Sequence, residues 1–177
     1  EVLRAAGHGE HLDLRQHKKV VAGAGHITIR QNHIHHNGNR NILTGFVSDL
    51  VIEHNVCHHA YREHGIYVSN SGDRHVIRHN LSYSNSNNGL HMNGDASLGG
   101  DGVMSELVVD SNVFWDNGAG GVAYIDPNGN PQVSIGGGSA INGDGVRDSR
   151  IVNNIAFYNH ASGISLYRID GGQPSSN

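Results

Sequence analysis

One short phrase recurs five times along the chain and narrows its fold more than any other feature. It reads ITIRQN ending at Asn32, LVIEHN at Asn55, HVIRHN at Asn80, LVVDSN at Asn112 and SRIVNN at Asn154. Three residues before each Asn stands an aliphatic: Ile29, Ile52, Ile77, Val109 or Ile151. Five residues after it stands Asn37, Ala60, Asn85, Asn117 or Asn159. A Gly or Asn followed by an aliphatic then recurs at Asn41-Ile42, Gly65-Ile66, Gly89-Leu90 and Gly163-Ile164. The anchors are 23, 25, 32 and 42 residues apart. Alternation of period two means strands, and Asn or Gly turns every few residues exclude long helices. A unit this short cannot bury its own apolar face, so it must stack on its neighbours. Short strands stacked one coil per unit, about 4.8 Å apart, make an all-β parallel β-helix solenoid. Five to six coils are expected.

Composition agrees and removes other classes. Gly (25) and Asn (20) make up about a quarter of the 177 residues, as a turn-rich chain requires. No run approaches the roughly 18 apolar residues of a membrane span, and Gly interrupts nearly every window long enough for a sustained heptad pattern. A net charge of -4, with ten arginines spread thinly, gives no basic stripe, so nucleic acid is not an expected partner. The single Cys57 excludes an internal disulfide. No signal-peptide pattern opens the chain.

Position within the repeat separates scaffold from site. The anchor asparagines read as scaffold: Asn tolerates left-handed backbone, and its amide can bond to the turn one coil away. Two residues before each anchor lies Arg30, Glu53, Arg78, Asp110 or Val152, a solvated charge ladder. Three residues after it lies His35, His58, Tyr83, Trp115 or Phe157, a stack of rings. The two long spacings place a loop at 94–102 and an inserted flap near 121–136, whose removal restores the period. Residues 1–25 do not fit the period and are expected to form a cap or irregular first turn, leaving 26–177 as the β-helix. With no further anchor after Asn154, the last coil reads as open, and self-association through open coil ends is expected.

Four stretches carry a family resemblance: His64-Gly-Ile-Tyr-Val-Ser-Asn-Ser-Gly-Asp-Arg74, Asn88-Gly-Leu-His-Met-Asn-Gly-Asp-Ala-Ser97, Asp144-Gly-Val-Arg-Asp-Ser149 and the run from Asn159 to Gly172. They resemble the bacterial right-handed parallel β-helix repeat proteins of the pectate-lyase-like superfamily, over roughly residues 26–177. The resemblance implies a right-handed, three-sheet coil. It also implies an exported protein (secreted, periplasmic or at the cell surface) acting on polysaccharide.

On the strand after each Gly-aliphatic pair, the aliphatic points in and the next residue points out. The first outward row is Leu43, Tyr67, His91, Asn142, Ser165, and the second is Gly45, Ser69, Asn93, Asp144, Tyr167. His64, Asn70, Asp73, Arg74, Asp95, Asp101, Arg168 and Asp170 flank them. Aromatic, amide, imidazole and carboxylate groups together are what a sugar-binding groove needs. A uronan lyase or epimerase must neutralise a carboxylate and remove the C5 proton, and a lyase must also protonate the leaving oxygen. Both lysines (Lys18 and Lys19) lie outside the groove. The catalytic candidates are therefore His91, Asp144, Arg168 and Tyr67. His64, Asn93, Asn142, Tyr167, Asp170 and Arg74 are the candidates for binding substrate, a polysaccharide of acidic type. Glycoside hydrolysis would instead use two carboxylates, with Asp95 and Asp144 as the nearest pair. The alternatives are a non-catalytic glycan-binding or cell-surface scaffold module and a structural fragment that stacks into oligomers.

Two clusters invite a metal. Asn93, Asp95, Ser97, Gly99 and Asp101 alternate as EF-hand ligands do, but the sixth position is Leu98 and the twelfth Met104. The EF-hand fails, which leaves a looser Ca²⁺ site at Asp95 and Asp101 as the candidate cofactor site. His33, His35 and His36 stack over Val56, His58 and His59, where solvated or ring-stacked imidazoles are the plainer expectation. Cys57 falls on an inward row and should be inert.

Overall fold

The computed structural model describes residues 25–126 and 128–167. The segment expected to cap the solenoid lies, apart from Gly25, outside them. The first coil consists of β1 (Thr28–Arg30), β2 (His33–His35) and β3 (Ile42–Gly45). The second is β4 (Val51–Glu53), β5 (Val56–His58) and β6 (Ile66–Ser69). The third is β7 (Val76–Arg78), β8 (Leu81–Tyr83) and β9 (Leu90–Asn93), followed by the short β10 (Met104–Ser105). The fourth runs β11 (Val108–Asp110), β12 (Val113–Trp115), β13 (Ala123–Ile125), β14 (Pro131–Val133), β15 (Ile141–Asp144) and β16 (Val146–Arg147). The fifth is β17 (Arg150–Val152), β18 (Ile155–Phe157) and β19 (Ile164–Tyr167).

Equivalent strands pair in parallel from coil to coil. Sheet one is β1-β4-β7-β11-β17, sheet two β2-β5-β8-β12-β18 and sheet three β3-β6-β9-β15-β19. The molecule is a parallel β-helix of five coils among the described residues. The register aligns the repeat: Ile29 over Ile52, Ile52 over Ile77, Ile77 over Val109 and Val109 over Ile151. Inward rows from the three sheets fill one narrow core, with Ile52, Ile66, Ile77, Leu90, Val109, Phe114 and Ile141 fully buried. No helix among the described residues is long and apolar enough to cross a membrane.

The anchor asparagines form a ladder through their side-chain amides, without the left-handed backbone expected of them. Asn32, Asn55, Asn80 and Asn112 each donate Nδ2 to Oδ1 of the next anchor at 2.9–3.0 Å, ending on Asn154. The same oxygens accept the backbone N–H of the preceding anchor. Left-handed geometry falls instead on the residue before: Gln31, His54, His79, Ser111 and Asn153, with φ between 55° and 57°. That residue makes the bend, and the Asn amide satisfies the backbone groups the bend unpairs. A second amide ladder runs Asn85 to Asn117 to Asn159. Where Ala60 interrupts it, Asn41 Nδ2 reaches Asn85 Oδ1.

Two excursions leave the coil beside sheet three. Residues 121–136 carry the antiparallel β13–β14 hairpin. Its neck closes where Gly137 donates its N–H to the Gly118 carbonyl. Gly118 has φ +87°, and a Cβ there would lie 2.0 Å from the Gly138 nitrogen, so the neck requires glycine. The hairpin leans back two coils, placing Tyr124 against the Arg62 guanidinium. The 94–102 loop contains one 3-10 turn (Ala96–Leu98) and folds back over the second coil, where Gly102 donates to Ser71 Oγ.

Candidate functional site

Sheet three presents its outward rows in register: Leu43, Tyr67, His91, Asn142, Ser165, and then Gly45, Ser69, Asn93, Asp144, Tyr167. Both rows were expected at the surface of a groove. Ser69, Asn93, Asn142 and Asp144 are instead buried, and Asp144 has no exposure at all. The excursions wall this face: Arg62 holds the hairpin at the corner entering β6, and the loop packs on Asn70 and Ser71 at the corner leaving it.

Within these walls a directional hydrogen-bond chain crosses three coils. The backbone N–H of Asn88 donates to His64 Nδ1 at 3.3 Å, so that nitrogen is bare. Burial, then His91 and Arg40, push the His64 pKa well below the usual histidine range. A neutral His64 carries its proton on Nε2, facing His91 Nδ1 at 3.0 Å. His91 then carries its own proton on Nε2, 2.9 Å from Asp144 Oδ2. Asn142 Nδ2 also reaches that oxygen at 3.3 Å. Asp144 Oδ1 is buried without a hydrogen-bond partner, so a full carboxylate charge here leans on His91. One carboxylate thus backs an imidazole whose far nitrogen is a lone pair, the arrangement that makes histidine a competent base.

Tyr67 lies over this chain. Its ring stacks on His91 at 4.8 Å and meets His64 edge-on at 5.0 Å. Its hydroxyl accepts from Asn93 Nδ2 at 3.0 Å, and burial pushes its pKa upward, so it holds its proton. Arg40 covers the other face of the ring at 5.0 Å and pairs with Glu63. Arg40 and Glu63 were not among the sequence candidates. Arg40, His64, Asn88 and Ser139 share one row, two residues before each inward aliphatic, as their corner backbone bonds show. Following that row would have found Arg40, and Glu63 is the residue beside His64.

Arg74, Asp95 and Asp101 lie apart from the chain. Arg74 sits on the corner before β7 and is bidentate to Asp49 at 2.8 and 3.0 Å. Asp95 Oδ1 accepts the Ser97 N–H and Asp101 Oδ1 the Val103 N–H, both local turn bonds. No three His, Cys, Asp or Glu side chains among the described residues gather to hold a metal. Tyr167 occupies the strand position beside Asp144. Arg168 and Asp170 lie outside the described residues. Cys57 is buried, and burial raises its thiol pKa.

A family model described as a right-handed beta helix region matches residues 16–135. The chain belongs to that family. This right-handed β-helix also superimposes on the crystal structure of DFA-IIIase from Arthrobacter chlorophenolicus A6 in complex with GF2, with a TM-score of 0.55 and 15% identity. The match covers 85% of the β-helix chain and 27% of the DFA-IIIase chain, and at that identity it is a likeness of fold. No curated protein matches the sequence.

Proposed function

We propose that this β-helix acts on an acidic polysaccharide at the exterior of sheet three, as an exported uronan lyase in which His91 is the base. The observation that carries the reading is the chain from Asn88 through His64 and His91 to Asp144, which leaves a lone pair on His91 Nδ1. A fold neighbour solved with a sugar lends general support to a saccharide ligand.

In the reaction, His64 yields its place and His91 Nδ1 takes the proton from C5 of a uronic residue. The electron pair forms the C4–C5 double bond while the C4–O bond breaks. The leaving oxygen takes its proton from the Tyr67 hydroxyl, which burial keeps protonated. Asp144 stabilises the imidazolium across the 2.9 Å bond. Arg40, on the face of Tyr67, is the described cation placed to hold the substrate carboxylate. Asp95 and Asp101 are the oxygens a Ca²⁺ ion would use, but each already serves its own turn, and no step passes through a metal.

Glycan binding without turnover is the second reading, favoured by the pairing of both His91 nitrogens in the free protein. A panel of acidic polysaccharides, read by ultraviolet absorbance of unsaturated products, separates the two. Lyase action requires absorbance from the wild type and its loss in His91→Ala with an unchanged circular dichroism spectrum. Binding without product, weakened by His91→Ala, gives the second reading. New reducing ends without absorbance would mean hydrolysis and overturn the lyase assignment. Neither binding nor product across the panel would overturn both readings.

A further inference from the structure

On sheet two, β2 and β5 each end on a histidine that a second histidine follows, His35-His36 and His58-His59. Neighbouring residues of a strand point to opposite faces, which would keep such rings apart. Here the second of each pair has left-handed backbone, φ 55° at His36 and 53° at His59, and turns its ring beside the first. Nδ1 of His35 lies 2.8 Å from Nδ1 of His36, and Nδ1 of His58 lies 2.6 Å from Nδ1 of His59. The rings of each pair stand nearly perpendicular, at 88° and 83°. The arrangement repeats one coil on, with His35 stacked on His58 at 4.9 Å and His36 on His59 at 4.8 Å. The third coil carries Tyr83-Ser84 instead, so the motif stops after two copies.

We propose that these two histidine pairs are two bidentate sites for a late first-row divalent cation, Cu(II) or Ni(II). Nitrogens about 2.0–2.1 Å from a metal ion, and as far apart as these, subtend roughly 80–90° at it. That is the cis angle of square-planar or octahedral coordination, which suits Cu(II) and Ni(II). A tetrahedral zinc site would need the nitrogens about 3.3 Å apart. Because no three such side chains converge on one point among the described residues, each ion takes two imidazoles and completes its shell with water. His33 Nε2 lies 2.8 Å from His58 Nε2, so His58 can donate its outer N–H there while Nδ1 ligates. Such an outer hydrogen bond fixes the tautomer of a ligating histidine. His35, His36 and His59 are exposed and His58 is buried, so each site has at least one ligand facing solvent.

Calorimetric titration of the whole chain with NiCl₂, together with electron paramagnetic resonance of the CuCl₂-loaded protein, tests this. The wild type should bind two ions, each copper showing coupling to two nitrogens. His36→Ala and His59→Ala should each remove one site, and the double variant should bind at least tenfold more weakly. His54 and His79, exposed and stacked at 4.9 Å but without an adjacent ring, provide the control. The variant His54→Ala/His79→Ala should bind as the wild type does. Undiminished binding by the His36→Ala/His59→Ala variant, loss in the control, a single copper held by four nitrogens, or no wild-type binding up to millimolar metal would each overturn the proposal.

Discussion

Sheets two and three both stack rings from coil to coil, yet the two stacks differ in kind. On sheet two, His35, His58, Tyr83, Trp115 and Phe157 lie nearly parallel, with interplanar angles of 4° to 16°. Every interior ring of that stack meets another ring on each face and offers the outside only its edge. On sheet three, Tyr67 stacks on His91, and the row then changes to Asn142. Where the rings stop, hydrogen bonds to His64 and Asp144 begin. A row that repeats one chemistry satisfies itself, coil against coil. A row that changes chemistry leaves groups whose partners must come from other rows or from a ligand. That contrast separates scaffold from candidate site.

The largest effect should come from the core beneath sheet two. Phe114 is fully buried, and its ring lies where a Cβ on Gly89 would fall. Phe114→Ala should cost about 3–5 kcal/mol in urea denaturation, through lost burial and the cavity left behind. Molecules that remain folded should keep their activity. If activity per folded molecule fell with stability, sheet two could not be called scaffold.

Asp144→Asn tests sheet three in the opposite sense. The amide keeps the shape and one acceptor oxygen but removes the charge behind His91. Turnover should fall by about 10²-fold or more while the melting temperature moves little. A large drop in melting temperature with normal turnover would reduce the His91–Asp144 pair to a structural contact.

His75 sharpens the comparison, because it breaks a row without gaining a partner. Leu50 and Leu107 hold the equivalent inward corners of the neighbouring coils, and all three residues are buried. Neither ring nitrogen of His75 has a hydrogen-bond partner, and burial lowers its pKa to about 4. The unfolded chain therefore takes up this proton below about pH 6.5, while the folded chain does so only near pH 4. This contribution to stability is complete above pH 6.5 and is lost as the pH falls from 6.5 towards 4. His75→Leu should stabilise the fold by about 1–3 kcal/mol at pH 5 and flatten the dependence over that window. Urea melts at pH 7.5 and 5 provide the check. Destabilisation at both would mean that a buried partner, such as water, satisfies the ring.

Much of this was legible in the sequence because a solenoid turns spacing into register. The alignments Tyr67-His91-Asn142 and Ser69-Asn93-Asp144 follow from counting residues after each Gly-aliphatic pair. The ring stack follows in the same way. What counting could not supply was the corners. The position of the left-handed bend, one residue before each anchor, depends on backbone dihedrals that Gln31, His54 and Ser111 do not advertise. Arg40 and the bond from Asn88 to His64 lie on a corner row where period-two alternation no longer tells inside from outside. The burial of the outward face also escaped, because Asn93 packs under Tyr67 and Asp144 against His91 and Asn142, contacts between side chains that spacing alone does not give.

The smallest effect tests the ring stack itself. Tyr83 lies between His58 at 4.7 Å and Trp115 at 4.1 Å, half-buried, with rings on both its faces. Leucine at this position keeps most of the apolar area and the strand pairing but removes two stacking contacts, each worth about 0.5–1.5 kcal/mol beyond burial. New packing of leucine against Trp115 should recover part of that, so Tyr83→Leu should cost about 1 kcal/mol in urea denaturation. A saccharide gains from an aromatic side chain by lying on its face, and the Tyr83 faces are already taken. Glycan affinity and turnover should therefore match the wild type. A clear loss of glycan affinity at unchanged stability would mean that the ladder opens to present its rings, and that the two sheets share the work of binding.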